Sequence, residues 1–148
     1  MTAMELENFL KEQIPITLAI GVHVVSADDA RVEITCPLSV NHNHLGTAFG
    51  GSLAAVAILA GYAWIFRALI TRGHDVHVVL KSTSIDYLKP VEEDLRAVCE
   101  APPAPEFEKF VSTFERKGLA RLTLRSVIET ASGVACSLTG EFVAKRST

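Results

Sequence analysis

Residues 41–73 read NHNHLGTAFGGSLAAVAILAGYAWIFRALITRG, and the reading of this stretch decides the fold. Its first part, Asn41 to Gly51, is a polar, glycine-rich loop. Its second part, Ser52 to Ile70, is apolar around almost its whole circumference and carries no charge until Arg67. Ala, Leu and Ile dominate it, so the favoured conformation is helix. A helix that is apolar on every side must be buried on every side. The uncharged run Leu53–Phe66 falls short of the roughly 20 apolar residues that a bilayer span needs. A core helix wrapped by the rest of the chain is therefore the expectation. Its N-terminus, where unpaired N–H groups and the helix dipole favour negative charge, is where chemistry is expected.

The rest of the chain supplies the wrapping. Leu6, Phe9, Leu10 and Ile14 fall at helical spacing, and Pro15 ends that helix. Leu18–Ser26 and Arg31–Leu38 alternate around Asp28–Asp29 and read as a hairpin. Gly73 sits in a C-capping position after the central helix. His74–Leu88 is a long extended run whose apolar phase switches between Leu80 and Ile85, so a bulge is expected near Lys81–Ser84. Leu95–Glu100 is a further strand. Phe107, Phe110, Val111 and Phe114 mark a helix over Pro105–Lys117, with Gly118 as its stop. Leu119–Thr130 and Val134–Ala144 alternate about a Ser132-Gly133 turn. One apolar helix with a curved antiparallel sheet of about six strands is an α+β solution, expected as a single domain over residues 1–148.

Composition bounds the function. Of 148 residues 49% are hydrophobic and 21% charged, more apolar than a lone domain needs, so part of the surface is expected to be covered by another copy of the chain. The net charge of −3 and the lack of a basic stripe argue against nucleic-acid binding. The N-terminus lacks the basic start and apolar run of a signal peptide. Cys36, Cys99 and Cys136 are widely spaced, form no CxxC pair, and read as reduced core thiols of a cytoplasmic protein. His42-x-His44 lacks a third ligand, so no metal is expected. No GxxxxGK[ST], GxGxxG or GxSxG occurs, which argues against nucleotide binding and serine hydrolase chemistry.

The loop Asn43-His44-Leu45-Gly46-Thr47-Ala48-Phe49-Gly50-Gly51, the apolar helix after it, and the later Ile85-Asp86-Tyr87-Leu88-Lys89-Pro90-Val91 together resemble the hotdog-fold acyl thioesterases. The likeness is greatest to the small bacterial thioesterase-like domain that in some proteins follows an N-acetyltransferase domain. It covers nearly the whole chain. The resemblance implies a hotdog fold and a homo-oligomer, a dimer or a dimer of dimers, with sites at the subunit interface near the start of each central helix. It also implies hydrolysis of an acyl thioester on coenzyme A or acyl carrier protein, with coenzyme A only as part of the substrate and neither nucleic acid nor membrane as partner.

Site residues follow from the resemblance and from chemistry. Backbone N–H groups at Gly50, Gly51 or Ser52 would hold the oxyanion; Gly46 and Phe49 belong to the same substrate-binding loop. Asn43 would hold the attacking water, with His44 or Asp86 as base, Asp86 acting in its own chain's site or in the neighbouring subunit's. The alternative is that Asn41–His44 make a polar turn bonding its own backbone, and that Asp86 is only an exposed strand carboxylate. Ser82 and Ser84 would line the thioester channel or satisfy a bulge. Arg116, Lys117 and Arg121 would bind coenzyme A phosphates or form a solvated face. Leu53, Tyr62, Trp64 and Phe66 would line an apolar acyl site. The chain departs from the best-known branch of the family: Phe49 stands where that branch has His, and no Asp or Glu occurs between Leu45 and His74. A hydratase or dehydratase on acyl thioesters, and a non-enzymatic acyl-CoA-binding protein, are the alternative functions.

Overall fold

The computed structural model describes residues 1–148. Its elements in chain order are α1 (Ala3–Gln13), α2 (Ile16–Ala19), β1 (His23–Ala27), β2 (Arg31–Cys36), a 3-10 turn at Leu38–Val40, α3 (Gly50–Ile70), β3 (Val76–Tyr87), β4 (Leu95–Glu100), α4 (Ala104–Lys117), β5 (Leu119–Thr130) and β6 (Gly133–Arg146). The six strands form one antiparallel sheet in the order β1-β2-β4-β5-β6-β3, which leaves β1 and β3 as edges. This is the α+β hotdog arrangement, with α3 as its filling.

α3 lies along the sheet because its apolar face fits there. Val56, Ala57, Ala60 and Ala63 are fully buried, and Leu53 and Trp64 nearly so. Facing them are the inward residues of each strand, among them Ile34, Ala97, Ile128, Leu138 and Phe142, all at most 1% exposed. Burying each larger aliphatic or aromatic side chain stabilises by roughly 1.5–3 kcal/mol. Helix and sheet approach closely at Gly61, where an added Cβ would sit 2.9 Å from Phe142 Cζ. Gly in a helix interior costs about 1 kcal/mol relative to Ala, so this close approach is the reason for a glycine there.

Helices of the same chain touch the C-terminal half of α3 at its flanks. Phe9 of α1 stacks on Phe66 at 4.3 Å between centroids. Phe107 of α4 meets Trp64 edge-on at 5.1 Å, while Phe110 and Phe114 are buried. At 21 residues the helix is longer than the uncharged run inside it. Length and composition alone would let it cross a membrane; what marks it as a core helix is that 67% of its most apolar window is buried inside the chain.

One segment departs from expectation. Leu18–Ser26 was expected to be strand throughout, but Ile16–Ala19 forms a helical turn and β1 begins only at His23. Thr17 Oγ1 donates to the carbonyls of Leu10 and Ile14, pinning this turn to the end of α1, and Gly21 at φ +72° redirects the chain. Leu18, on the expected inward face, is 61% exposed. The phase switch in β3 is a bulge as expected: the register with β6 shifts between Leu80 and Ser82, which puts Ile85 and Tyr87 on the same face as Val78 and Leu80.

The outer face of the sheet carries an ionic cluster. Glu33 accepts hydrogen bonds from Arg96 Nε at 2.6 Å and Nη2 at 3.0 Å and pairs with Arg31, while Arg96 also binds Glu129. The Arg96 guanidinium holds the Glu33 carboxyl below its ordinary value of 4.5. A carboxyl lowered in the folded state contributes stability that is complete above its unfolded value and lost as pH falls through the folded one. The Glu33→Gln variant is therefore expected to unfold at lower urea than wild type at pH 7, with the gap closing as pH drops below 4.5. Urea titrations at pH 7 and pH 3 check this.

Candidate active site at the start of the central helix

The polar loop before α3 is a self-bonded hairpin. Asn43 N–H donates to Thr47 O at 2.7 Å, and Gly46 N–H to Asn43 O at 3.1 Å. Phe49 N–H donates to Asn41 O at 2.7 Å and Ala48 N–H to Val91 O at 2.8 Å. Asn41 is buried and donates through Nδ2 to the carbonyls of Ile20 and Pro37, anchoring the base of the loop to the body. Asn43 Oδ1 accepts the N–H of Leu45 at 2.9 Å and of Thr47 at 3.2 Å, and its Nδ2 donates to Thr47 Oγ1 at 2.8 Å. Asn43 is thus engaged in shaping its own loop, as the alternative reading of this segment had it. His44, Leu45 and Gly46 are exposed at the tip.

α3 begins at Gly50, earlier than the sequence reading placed it, so Gly50, Gly51 and Ser52 are its first turn. Its N-cap is Phe49, which has no side-chain oxygen to offer. The N–H groups of Gly50, Gly51 and Ser52 consequently find no acceptor within the chain; the first helical bond runs from Leu53 N–H to Phe49 O at 3.1 Å. The Phe49 ring lies across Gly51, where a Cβ would overlap it. Tyr87, at the end of β3, donates from its hydroxyl to Gly50 O at 2.9 Å and fixes the tip against the sheet edge. Three free donors on the positive end of a 21-residue helix make a site for an anionic oxygen.

The sheet sorts the other candidates. Tyr87 is opposite the fully buried Cys136 and Ile85 opposite Leu138, on the face toward α3. Asp86, opposite Ser137, therefore points to the outer face. Asp86 and the first turn of α3 in one chain have the sheet between them, so a role for Asp86 as base belongs to the site of a second copy rather than to that of its own chain. Ser82 and Ser84, opposite Glu141 and Thr139, are likewise on the outer face, in a polar cleft shared with Thr123. Within their own chain they do not line a channel along α3.

Arg116 and Lys117 end α4, beside Glu115, whose carboxylate lies 3.3 Å from His74 Nε2 just past the C-terminus of α3. They stand at the far end of a helix about 30 Å long. Arg121 lies on β5 with Nη1 3.9 Å from Glu141. None of the three stands beside the Gly50 turn of its own chain. Of the lining expected for the acyl site, Leu53 and Trp64 are packed against the sheet and helix α4, and Tyr62 keeps part of its surface.

Tyr87 was within reach of sequence reading. Ile85 and Tyr87 share the apolar phase of β3, and the residue between two inward positions must face outward. A concavity of about 400 Å³ between β4, β5 and the turn into α4, lined by Pro102, Pro103 and Glu106, is not at this site. Around the α3 tip stand exposed apolar side chains instead: Leu45 at 74%, Phe49 at 58%, Tyr87 at 51% and Leu88 at 63%.

The loop bonds predict a specific response. Asn43→Ala leaves the N–H groups of Leu45 and Thr47 without their acceptor and is expected to destabilise by about 1 kcal/mol. Amide exchange at Leu45 and Thr47 should accelerate, whereas Asn43→Asp, which keeps an acceptor oxygen, should preserve their protection. Hydrogen exchange read residue by residue checks it.

Comparison with known proteins agrees with this fold. The family model described as "Putative thioesterase (yiiD_Cterm)" matches residues 3–146. The structure is similar to that of OLEI01261 from Chlorobaculum tepidum, a protein of unknown function, with a TM-score of 0.93, 27% identity, and 98% of this chain and 94% of the other covered. A protein described as a "putative thioesterase" from Shewanella oneidensis superposes with a TM-score of 0.87 at 21% identity over 97% and 96% of the two chains. The thioesterase HI1161 of Haemophilus influenzae shares the fold at a TM-score of 0.74 and 14% identity, over 99% and 92%. Matched from its first helix to its last strand, the chain belongs to the YiiD C-terminal thioesterase family of hotdog-fold proteins.

Proposed function

We propose that the protein hydrolyses an acyl thioester of coenzyme A or acyl carrier protein by direct attack of water on the carbonyl. One observation carries this reading: Gly50, Gly51 and Ser52 present free N–H groups at the open end of α3. In thioester hydrolysis the carbonyl oxygen becomes an oxyanion in the transition state. Fixed donors aimed at that oxygen stabilise the transition state more than the ground state. On this reading His44, exposed on the loop, takes the proton of the attacking water, and Asn43 acts as a positioning residue that keeps His44 and the Gly50 turn in place. Asp86 has no role in it within its own chain. Coenzyme A enters only as part of the substrate, and no cofactor is required.

Two proline substitutions test the donors. Proline lacks an N–H yet is accepted in a first helical turn. Phe49, at φ −64° and ψ 133°, already has the backbone that precedes a proline. A Cβ at Gly50 meets the Tyr87 ring at an ordinary 3.5 Å, so Gly50→Ala is the control that keeps the N–H. In a thiol-release assay over a coenzyme A thioester panel, Gly50→Pro or Ser52→Pro should lower kcat by about 10²–10³, with Gly50→Ala near wild type. His44→Gln should lower it by about 10²-fold or more. Wild-type turnover in both folded proline variants would remove the helix tip from the mechanism.

The same reading includes a homodimer. β3 is a 12-residue edge strand with one side unpaired, and the exposed Leu45, Phe49, Tyr87 and Leu88 gather beside its end at the α3 tip. An open edge of that length next to an apolar patch is a surface that proteins usually cover. A second copy laid on it would also shield the reacting carbonyl from bulk water. Light scattering should give a mass near twice 16.0 kDa, and Leu88→Asp should shift it toward monomer with loss of turnover. A monomeric wild type with full activity would exclude the dimer from the mechanism.

A further inference from the structure

The segment Tyr87-Leu88-Lys89-Pro90-Val91 touches the entry to α3 at both of its ends. Tyr87 Oη donates to Gly50 O at 2.9 Å, and Val91 O accepts the N–H of Ala48 at 2.8 Å. Between these contacts the segment is bound to the β5–β6 hairpin. Leu88 N–H donates to Ala135 O at 2.8 Å. Lys89 Nζ donates to Ser132 O at 2.6 Å and to Ser132 Oγ at 2.9 Å. Val91 is buried, and Tyr87 pairs with the buried Cys136 where β3 ends against β6. The sheet thus carries a strap that ends in a phenol hydroxyl on the first carbonyl of α3.

The bond to Gly50 O acts on a donor at the other end of the same peptide. Gly50 C=O and Gly51 N–H belong to one planar unit and point in opposite directions. Rotation of that unit is governed by ψ of Gly50 and φ of Gly51, and neither residue has a Cβ to restrict it. Gly51 N–H also has no acceptor in the chain to hold it. A helix carbonyl uses one lone pair for the N–H four residues on and keeps a second. Tyr87 Oη takes up the second, and does so from the sheet rather than from the helix. A hydrogen bond at the carbonyl end polarises the peptide and so strengthens its N–H as a donor.

We infer that Tyr87 is a positioning residue for thioester hydrolysis: through Gly50 O it aims and strengthens the Gly51 N–H, which is the principal oxyanion donor. This role rests on the hydrolase reading above and singles out one of its three donors. The phenol acts through the peptide and needs no contact with substrate. An apolar residue at position 87 would fill the same patch beside Leu88 but leave the Gly50–Gly51 unit without its fixed partner.

Tyr87→Phe tests the role, because it removes one oxygen and keeps the ring. Its fold and mass should match wild type in urea unfolding and light scattering. On a coenzyme A thioester that wild type hydrolyses, kcat is expected to fall about tenfold with KM within about twofold, since an oxyanion donor acts chiefly in the transition state. In NMR spectra the Gly51 amide nitrogen senses hydrogen bonding at the carbonyl of its own peptide. It should move upfield in the variant, and by more than the amide nitrogens of Gly50 and Ser52. A merely structural role would lower stability and produce neither change. Wild-type kcat in Tyr87→Phe, or an unmoved Gly51 resonance, overturns the role of Tyr87 and leaves hydrolysis standing. Absence of thiol release by wild type from every thioester overturns hydrolysis and this role together.

Discussion

A 21-residue helix with apolar side chains on all sides has to be enclosed, and most of this chain is the enclosure. The sheet takes one side of α3, closing to a single glycine's width where Gly61 meets Phe142. The helices α1 and α4 each touch it toward its C-terminal half, Phe9 on Phe66 and Phe107 on Trp64. What this cover leaves partly open includes the first turn, where the backbone donors stand, and the side of the helix that carries Ala54, Ala55, Ile58 and Tyr62.

The first turn is unusual for what it lacks. Most helices begin at Ser, Thr, Asp or Asn, whose side chain takes up an N–H of the first turn. Here the N-cap is Phe49, followed by two glycines, and the donors are left to solvent or substrate. Exposed donors are tolerated because water can meet them. Rigidity comes from elsewhere: Asn43 binds the loop to itself, Asn41 anchors it to Ile20 and Pro37, and Tyr87 holds Gly50 O from the sheet edge. The side chains that most resemble catalytic groups by type thus serve in part to hold backbone amides in position.

The sheet acts as a partition. Because side chains alternate across it, a carboxylate one position from Tyr87 faces away from the helix that Tyr87 touches. Asp86, Ser82 and Ser84 lie with Glu141 and Thr139 on the outer face, which elsewhere holds the Glu33–Arg96–Glu129 cluster. Arg116 and Lys117 are separated from the first turn by the length of α3. Within one chain, the groups that remain beside the first turn of α3 are its own amides and the loop that carries Asn43 and His44.

Much of this was legible in the order of residues. The all-round apolarity of Leu53–Phe66 requires a core helix, the phase switch between Leu80 and Ile85 requires a bulge, and Gly118 at φ +70° ends α4 as its position implied. These are local consequences of periodicity and backbone freedom, which a sequence carries directly. The helical turn at Ile16–Ala19 was not legible, because Leu18, Ile20, Val22 and Val24 alternate like a strand. The bonds of Thr17 to the Leu10 and Ile14 carbonyls, which tie the turn to the end of α1, are not visible in that alternation. The roles of Asn43 and Asp86 were likewise beyond one-dimensional reading. Residue type says that an amide can bind water and a carboxylate can accept a proton. Whether the first is already engaged by its neighbours, and on which side of a sheet the second stands, is decided only when the chain folds and long-range contacts determine which groups meet.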